Sequence, residues 1–371
     1  MKFSSSSTDL QKAFGSVGSV IPSKSTLPIL ENFLFHLTNN KLKITATDLD
    51  TTMSVNISVN GIEDGKIAIP AKRLFETVRS LPNIDIEFIA NESSNKITMS
   101  TDIGEYKLSG ESSENYPTIP NFKTTEDIKI ENETLRRMIG KTSFAVSSDE
   151  LRPAMMGILF QIKKKEIRVV ATDGHRLVRL INSNIETDNI EKEIIIPAKA
   201  LNLVSKSADD SKTQISFDEN NTMFSFTDSI LISRVIEEKY PNYESVIPLD
   251  NEKILIVDKN QLLSSVRRTA LYASSTTHQV RFSIKRGSII VSAEDIDFGS
   301  EARENLQCDY SSEPMEIGFN SSYIIDILSH IDTDEATFKL GSPTRACIIQ
   351  PSTQLEGENL LMLVMPVRLN A

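Results

Sequence analysis

The stretch Val169-Val170-Ala171-Thr172-Asp173-Gly174-His175 decides the fold, because two further versions of it occur in the sequence. An apolar run again ends in an acidic turn in Ile44-Thr45-Ala46-Thr47-Asp48-Leu49-Asp50 and in Ile290-Val291-Ser292-Ala293-Glu294-Asp295-Ile296-Asp297. The turn residues Asp48, Asp173 and Asp295 are 125 and 122 residues apart. Self-similarity at a fixed period indicates repeated structural units, so the sequence predicts one domain in three copies.

Two other strings have the same period. Ile67-Ala68-Ile69-Pro70-Ala71-Lys72-Arg73-Leu74 matches Ile194-Ile195-Ile196-Pro197-Ala198-Lys199-Ala200-Leu201 and Glu316-Ile317-Gly318-Phe319-Asn320-Ser321-Ser322-Tyr323. A tail that begins at Tyr116 and contains prolines matches a tail that begins at Tyr240. Domain boundaries fall in such Pro-rich, polar segments. We therefore expect three domains, at 1–122, 123–250 and 251–371.

Each copy combines helical and strand patterns, which predicts an α+β fold. In the second copy Leu135, Met138 and Ile139 have helical spacing, whereas Gln214-Ile215-Ser216-Phe217 alternates like a half-buried strand. The pattern predicts two helices and about eight strands per copy. The helices are expected at 8–20, 71–81, 132–146, 198–208, 258–274 and 321–331.

The composition excludes several classes of protein. With 39% hydrophobic and 25% charged residues, the chain has the composition of a globular protein. It lacks the run of about 18 apolar residues that a membrane span needs, and Met1-Lys2-Phe3-Ser4 begins no signal sequence. The two cysteines, Cys308 and Cys347, are too few for a disulfide framework or a zinc site. We expect a cytoplasmic protein with no membrane partner.

Residues that could carry catalysis are sparse. Gly140-Lys141-Thr142 is similar to the end of a phosphate-binding loop, but the first glycine of that motif would fall on Leu135, inside a predicted helix. The recurrent turn aspartates suit a side chain that bonds its own backbone. The sequence therefore favours a protein that is not an enzyme, and a nucleotide hydrolase that uses Lys141 is the enzymatic alternative. The histidines lack the spacing of metal ligands; they are His36, His175, His278 and His330.

Charge is distributed unevenly along the chain. The net charge is -11, whereas the six predicted helices together carry +7, which leaves -18 for the remainder. If the helices share one face of the assembly, an acidic protein presents a basic lining to a polyanion. The alternative is that these cations lie on ordinary solvated helix faces. The cations in question are Lys72, Arg73, Arg79, Arg136, Arg137, Lys141, Lys199, Lys206, Lys259, Arg267 and Arg268.

The C-terminal stretch Leu360–Leu369 is nearly all apolar, although chain termini are usually polar and frayed. It is therefore expected to dock on the protein. Because Pro366 cannot donate to a sheet ladder, the last strand is expected to leave its sheet there and to present Met365, Val367 and Leu369 elsewhere. An apolar patch beside the Pro241 loop would then form a peptide groove.

These residues resemble those of a known family, the bacterial DNA polymerase III β subunits, which are replicative sliding clamps. The resemblance covers the chain from Thr26-Leu27-Pro28-Ile29-Leu30 to Met365-Pro366-Val367-Arg368-Leu369, and Ala171-Thr172-Asp173-Gly174-His175-Arg176-Leu177 is its most specific motif. It implies a head-to-tail homodimeric ring of six domains, with helices lining the hole and sheets outside. Such a ring slides on duplex DNA without reading its sequence, requires neither ATP nor a metal itself, and is opened by a clamp loader.

The resemblance also implies three sets of site residues. The DNA-binding positions are Lys24, Lys72, Arg73, Arg79, Arg137 and Lys199. A groove for peptides of the polymerase III α subunit, the loader, other polymerases and repair proteins would comprise Arg152, Met155, Thr172, Gly174, His175, Arg176, Leu177, Pro241, Val246, Ala346, Met365, Pro366, Val367 and Arg368. The dimer interface would include Tyr106, Leu271 and Tyr272.

Two departures from the family pattern and one rival interpretation remain. Asp149 places an acid on a loop where the family approaches DNA, and Pro153-Ala154 lacks bulk that some members have there. The rival interpretation is a repeat-built adaptor that binds peptides through the same groove, never encircles DNA and is a monomer.

Overall fold

The predicted alternation of strands and helices is present throughout the computed structural model, which describes residues 1–22, 24–187, 190–208 and 211–369. Six α-helices occur in these ranges, two in each third of the chain, and every paired strand is antiparallel to its neighbours. The predicted α+β class is therefore confirmed. The helices predicted at 132–146 and 258–274 end earlier, at Thr142 and Thr269, and each continues as a short 3₁₀ turn.

The first third of the chain contains ten strands and two helices. In chain order they are β1 (Lys2–Ser6), α1 (Ser7–Gly18), β2 (Asn32–Thr38), β3 (Lys41–Thr47), β4 (Thr51–Ser58), β5 (Asn60–Glu63), β6 (Gly65–Pro70), α2 (Ala71–Arg79), β7 (Asp85–Asn91), β8 (Lys96–Thr101), β9 (Gly104–Ser109) and β10 (Glu111–Ser112).

The second third contains eight strands and two helices, as the pattern predicts. They are β11 (Glu126–Glu131), α3 (Asn132–Thr142), β12 (Gly157–Lys163), β13 (Glu166–Thr172), β14 (Arg176–Asn182), β15 (Lys192–Pro197), α4 (Ala198–Ser207), β16 (Lys212–Phe217), β17 (Asn221–Ser225) and β18 (Ser229–Arg234).

The last third contains nine strands and two helices. They are β19 (Lys253–Asp258), α5 (Lys259–Thr269), β20 (Gln279–Lys285), β21 (Ser288–Asp295), β22 (Ser300–Gln307), β23 (Asp309–Tyr310), β24 (Met315–Asn320), α6 (Ser321–Ser329), β25 (Glu335–Leu340), β26 (Cys347–Pro351) and β27 (Glu358–Val364).

The chain folds into two compact units whose limits differ from those of the repeats. One unit comprises Met1–Arg136 and Lys199–Val235, and the other comprises Arg137–Ala198 and Ile236–Ala371. The first unit contains the sheets β5-β1-β7-β8-β9 and β10-β6-β2-β3-β4-β18-β17-β16-β11. The second contains β15-β12-β13-β14-β27-β26-β25-β19-β23 and β22-β21-β20-β24. The units cut across the second repeat because each nine-stranded sheet draws its strands from two repeats.

One antiparallel strand pair joins the repeats within each nine-stranded sheet. In the first unit, β4 of the first repeat pairs with β18 of the second, with Ser54 opposite Ile230. In the second unit, β14 of the second repeat pairs with β27 of the third, with Leu177 opposite Leu363. Equivalent strands make both joints, since β4 and β14 each follow an acidic turn and β18 and β27 each end a repeat.

The core of the first repeat is rich in phenylalanine. Phe88 stacks on Phe3 with ring centroids 4.9 Å apart and lies 5.5 Å from Phe35, while Phe14 stacks on Phe33 at 5.3 Å. All five rings are almost fully buried. Stacked and tilted rings at these separations contribute beyond the area that they bury, so this cluster holds β1, β2, β7 and α1 together.

We predict that Phe88→Ala lowers the free energy of unfolding by about 3–5 kcal/mol, because it removes a buried ring and leaves a cavity. Its neighbour Ile89 points to the opposite face of β7 and is 38% exposed, so Ile89→Ala serves as the matched control and should cost far less. Urea unfolding followed by circular dichroism measures both. Equal losses for the two variants would contradict this assignment of the core.

Candidate functional site

A cluster of apolar side chains packs on the joint between β14 and β27, on the sheet face that carries Leu177 and Leu363. The two leucines are directly opposite each other. The second repeat and the third both contribute, so the cluster exists only because this joint forms. Its buried members are Leu159, Val170, Leu177, Ile195, Tyr240, Tyr243, Ala346, Ile348, Leu361 and Leu363, and the partly buried Ala154, Ile236 and Ile247 pack against them.

Two tyrosines fix the tail of the second repeat against this cluster. The Tyr240 hydroxyl donates to the carbonyl of Val170 at 3.3 Å, and the Tyr243 hydroxyl donates to Gln161 Oε1 at 2.6 Å. Pro241 lies between them, and its carbonyl accepts from the Tyr243 N–H at 2.7 Å. Val246 follows in the same 3₁₀ turn and is half-exposed. The tail thus packs along one side of the cluster and would form one apolar wall of the candidate groove.

The acidic turn between β13 and β14 forms a second wall. The Thr172 hydroxyl donates to the carbonyl of Arg176 at 2.6 Å and accepts from the Gly174 N–H at 3.1 Å. Asp173 Oδ1 accepts from the N–H groups of His175 and Arg176, both at 2.9 Å. Gly174 has φ +90°, a conformation that glycine adopts without strain. The aspartate therefore has the turn-forming role that the sequence predicts.

Arg176 and His175 connect this turn to α6 of the third repeat. The Arg176 guanidinium donates to Asp326 Oδ2 at 2.5 Å and stands over the Tyr323 ring, 4.7 Å from its centroid. It also donates to the carbonyl of Phe144 at 2.6 Å. The His175 ring stacks on Tyr323 with centroids 6.2 Å apart. A planar cation with several donors suits such combined bonding and stacking, so Arg176 is a fixed part of the wall.

The C-terminal segment leaves its sheet as the sequence predicts. β27 ends at Val364, and the Met365 N–H still donates to the carbonyl of His175 at 2.8 Å. Two residues later the Val367 N–H donates to the carbonyl of Gly318 in β24 at 2.9 Å, so the chain crosses to the four-stranded sheet. Met365 stays exposed beside the turn. The segment therefore closes the groove on the side of the third repeat.

Arg152 lies at the other side of the acidic turn, and the Met155 N–H donates to the Arg152 carbonyl at 3.0 Å. Arg152 donates to the carbonyl of Asp173 at 3.1 Å and to Asp149 Oδ2 at 2.8 Å. Hydrogen bonds from the Leu151 N–H and from Arg152 lower the pKa of the Asp149 carboxyl. Asp149 is therefore an anion that fixes Arg152.

The structure brings the predicted groove residues into one unit, but sequence reasoning missed most of the apolar floor. Leu177 and Ala346 were predicted, whereas the strand residues around them and the two α6 side chains were not. The sequence carried part of the signal for the two α6 side chains, because α6 begins within the third copy of the strand-to-helix string. Alternation along β12, β13, β26 and β27 shows which residues are buried without showing which repeats meet. The missed residues are Leu159, Val170, Ile195, Tyr240, Tyr243, Tyr323, Asp326, Ile348, Leu361 and Leu363.

The first repeat has polar residues where the second has this floor. Thr45 and Thr52 occupy the positions of Val170 and Leu177 relative to the turn aspartate. Their hydroxyls hydrogen bond to Ser54 and Thr47, each at 2.9 Å. A smaller apolar cluster of Leu34, Ala68 and Tyr116 remains there, with Ile29 and Ile119 packed against it. Hydroxyl pairs thus replace the apolar surface at this joint.

The predicted DNA-binding cations differ in their surroundings. Lys24, Lys72, Arg73 and Arg79 are exposed. Arg137 donates to Asp332 Oδ2 at 2.5 Å and to Glu358 Oε2 at 2.9 Å, and Lys199 pairs with Asp48. Burial alone would raise the pKa of Asp332, but hydrogen bonds from Lys141 and Arg137 lower it. The positive charge of Arg137 and Lys199 is therefore partly neutralised within the chain.

Lys141 is also held by neighbours rather than free to bind phosphate. It lies in the last turn of α3, and its ammonium donates to the carbonyl of His330 and to Asp332, both at 2.5 Å. Among the described residues no group of three or more His, Cys, Asp or Glu side chains is arranged to hold a metal ion. Over the same residues, no helix has both the length and the apolar character of a membrane span.

The three predicted dimer residues lie at two sheet ends. Tyr106 is on β9, which ends its five-stranded sheet, and it stands opposite Met99. Leu271 and Tyr272 form a 3₁₀ turn after α5, and Leu271 is 82% exposed. That turn packs beside β22, which ends the four-stranded sheet.

We predict that Gly318→Leu detaches the C-terminal segment while the fold remains. A β carbon at Gly318 would lie 2.7 Å from Leu369 Cδ2 and 2.8 Å from the Val367 carbonyl oxygen, so no side chain fits without displacing the segment. Hydrogen exchange at residues 365–369 should rise at least tenfold, since an opened segment exchanges readily. Gly140→Ala is the matched control, because open space surrounds Gly140. Unchanged protection in Gly318→Leu would contradict the docking described.

Family models match almost the whole chain. The models described as the N-terminal, central and C-terminal domains of the DNA polymerase III beta subunit match residues 1–120, 129–242 and 244–368. Among curated proteins, the beta sliding clamps of Chlamydia muridarum and Pseudomonas aeruginosa are 28% and 27% identical, and each alignment covers 100% of both chains.

Solved structures agree with these matches. A DNA polymerase sliding clamp from Pseudomonas aeruginosa, solved with a ligand, has a TM-score of 0.93 at 27% identity. The DNA polymerase III subunit beta of Bartonella birtlesii, bound to griselimycin, has a TM-score of 0.94 at 29% identity. Both alignments cover 100% of each chain. On these matches, the chain belongs to the family of bacterial DNA polymerase III beta subunits, the sliding clamps.

Proposed function

We propose that this chain is a processivity factor of DNA replication that closes with a second copy, head to tail, into a ring of six domains around duplex DNA. In this proposal the three domains are 1–122, 123–250 and 251–371, the protein acts in the cytoplasm, and the clamp itself catalyses no reaction. The observation that carries it is the repeated strand joint, because β9 and β22, the strands equivalent to those that form it, each lie at the end of a sheet.

The free edges belong to the strands that make the internal joints elsewhere. β22 follows the third acidic turn, as β4 and β14 follow the first and second. β9 is equivalent to β18. The pair Lys96–Ser109 lies at the open end of one hairpin and Asn221–Arg234 at the open end of the other, and corresponding residues of the two pairs are 125 positions apart. β9 and β22 each end a sheet. A second copy therefore offers each of them its natural partner, and an exposed edge otherwise invites uncontrolled pairing.

When the register of the joint between β4 and β18 is applied to the proposed joint between β22 and β9, residues of opposite charge face each other. Thr52 lies opposite Ile232, and the equivalent residues are Glu301 and Lys107. Two residues further on, the same register sets Arg303 against Glu105. In the single chain Lys107 pairs with Glu105 at 2.7 Å, and both are exposed. Across the joint each would instead face an opposite charge on the partner strand, which favours this register over its neighbours.

The predicted dimer residues fit the same register. Tyr106 would lie opposite Ala302. Ala302 and Glu304 lie on the same face of β22, and α5 covers that face. The hydrogen bond from Arg268, whose Nη2 lies 2.6 Å from Glu304 Oε2, lowers the pKa of Glu304 and ties α5 to β22. Leu271 and Tyr272 follow α5 directly, so they would meet Tyr106 of the second copy. We propose these three residues as apolar contacts of the dimer interface.

Binding to DNA in this proposal relies on phosphate attraction alone. Scattered cations attract the backbone of any sequence, whereas base contacts would stop sliding. The exposed Lys24, Lys72, Arg73 and Arg79 support this role most directly. Arg137 and Lys199 would contribute less, because acidic side chains already pair with them.

The groove beside Leu177 and Leu363 is proposed to bind short, partly apolar peptide segments. Its floor is apolar, and its rim presents Arg152, His175 and the exposed Met365, which suits an extended peptide with apolar anchors. The partners proposed are the polymerase III α subunit, the clamp loader, and other polymerases and repair proteins. The sliding clamp from Pseudomonas aeruginosa was solved with a ligand and that from Bartonella birtlesii bound to griselimycin, which is compatible with a ligand-binding surface on this fold.

A topological test distinguishes the ring from a monomeric adaptor. Sedimentation should give a dimer, and protein loaded by a clamp loader on a nicked circular plasmid should stay bound at high salt. Linearising the plasmid should release it, because a ring slides off free ends. A monomer in sedimentation, or retention after linearisation, would contradict the ring.

Removing residues 365–371 should abolish polymerase binding and leave a folded dimer, because the segment forms one wall of the groove. We expect an affinity loss of more than 100-fold, measured by surface plasmon resonance with immobilised polymerase; loss of several buried apolar contacts is sufficient for this. Leu249→Ser, which alters an exposed leucine outside the groove, is the control. Unchanged affinity of the truncated protein would reject the groove assignment.

A further inference from the structure

The acidic turn of the third repeat is longer than those of the other two. Four residues separate the paired Thr47 and Thr52, and four separate Thr172 and Leu177, whereas six separate Glu294 and Glu301. The extra length lies in the turn immediately before β22, which is the strand proposed to meet the second copy.

The longer turn carries two large apolar side chains into solvent. Ile296 is 82% exposed and Phe298 is 84% exposed. Hydrogen bonds nevertheless hold the turn in one conformation. Asp295 Oδ1 accepts from the Asp297 N–H at 3.1 Å, and the N–H of Gly299, which has φ +61°, donates to the carbonyl of Ile296 at 3.3 Å. Two exposed apolar side chains on an ordered turn are typical of a contact surface.

In both internal joints the acidic turn contacts the start of a helix in the following repeat. Asp48 of the first turn pairs with Lys199 of α4, and His175 of the second turn stacks on Tyr323 of α6. α2 is the equivalent helix of the first repeat, and Lys72 and Arg73 are the residues equivalent to Lys199 and Tyr323. At the joint with a second copy, the third turn would therefore meet the start of α2.

A cavity of about 960 Å³ opens beside the start of α2. Its apolar lining comes from α2, from Ile21, Pro22 and Pro28 after α1, from Phe33 of β2 and from Leu108 at the end of β9. Both cations and acids also line it, namely Lys72, Arg73, Glu31, Glu76 and Glu111. Pockets that hold drug-sized ligands have about this volume, so an Ile and a Phe side chain fit. The apolar residues are Ile21, Pro22, Pro28, Phe33, Phe75 and Leu108.

We infer that this cavity is the receptor for the third turn of a second copy, so that the partner's Ile296 and Phe298 insert beside Leu108 and Phe75. The inference rests on the proposed ring and deepens it. The register at the proposed joint sets Ser300 opposite Leu108, which lines the cavity, so the turn that precedes Ser300 lies beside the cavity. By the same equivalence the partner's Asp295 takes the place of Asp48 and faces Lys72, the residue equivalent to Lys199. Lys72 thereby becomes an interface residue in addition to its proposed role at DNA.

The first test is the dimer dissociation constant, measured by sedimentation equilibrium. Phe298→Ser should weaken the dimer by roughly tenfold at each contact, hence about 100-fold for a ring with two contacts, because a buried aromatic side chain is lost from each. Leu249→Ser is the matched control, since it also removes an exposed apolar side chain, and it should leave the constant unchanged. Thermal unfolding of the monomer verifies that Phe298→Ser folds.

A second variant separates failure of this inference from failure of the ring. Lys107→Glu disturbs the strand joint alone and should weaken the dimer, and adding Glu301→Lys should restore it. If these variants behave so while Phe298→Ser matches Leu249→Ser, the ring stands and the turn contact is rejected. If the unmodified protein is a monomer at every concentration, the proposed ring itself is rejected.

Disulfide trapping provides a positive readout. In a Cys308→Ser background, Ser109→Cys combined with Phe298→Cys should give covalent dimers on mild oxidation, because Ser109 lines the cavity mouth. Ser109→Cys combined with Leu249→Cys should not. Equal yields from the two pairs would overturn the inferred contact.

Discussion

Antiparallel pairing of a strand that follows an acidic turn with the last strand of the next repeat is the interaction on which the remaining features depend. It joins β4 to β18 and β14 to β27, and each joint makes a nine-stranded sheet from two repeats. Backbone hydrogen bonds impose a register, and the register determines which side chains meet. At β14 and β27 it sets Leu177 opposite Leu363, on the face that carries the apolar cluster proposed as the groove floor. The proposed joint between β9 and β22 repeats the same arrangement with charged pairs.

The internal repeat made much of the fold predictable. Six helices were expected and six were found in the described residues, within a few residues of their predicted limits, because apolar periodicity and capping residues mark helices locally. The departure of the C-terminal chain from its sheet also followed from one residue, Pro366, which has no N–H to donate. The resemblance of Thr172-Asp173-Gly174-His175-Arg176-Leu177 to a known motif supplied the region of the groove. Its apolar floor did not follow, because contacts such as Arg176 with Asp326 join residues 150 positions apart.

Counting charged residues in the sequence was a poor guide to how much positive charge the helices expose. The helices carry a net positive charge, yet the structure pairs part of it with acids from distant segments. Arg137 meets Glu358, 221 residues away, and Lys199 meets Asp48. A count of cations therefore overestimates the charge that can attract a phosphate, since a paired charge projects a weaker field. The exposed cations near the start of α2 keep that capacity, and one of them is also inferred to meet the partner's turn.

The hydroxyl pairs of the first repeat have a consequence for stoichiometry. Thr45 with Ser54, and Thr47 with Thr52, occupy the joint where an apolar floor would otherwise form. In the proposed assembly each chain thus carries one peptide groove, at its second internal joint, and the proposed ring of two chains carries two. If a polymerase occupied one of these proposed grooves, one groove would remain free. Under the proposed function, other partners would then compete for that free groove, and their relative affinities and concentrations would decide the order in which they act.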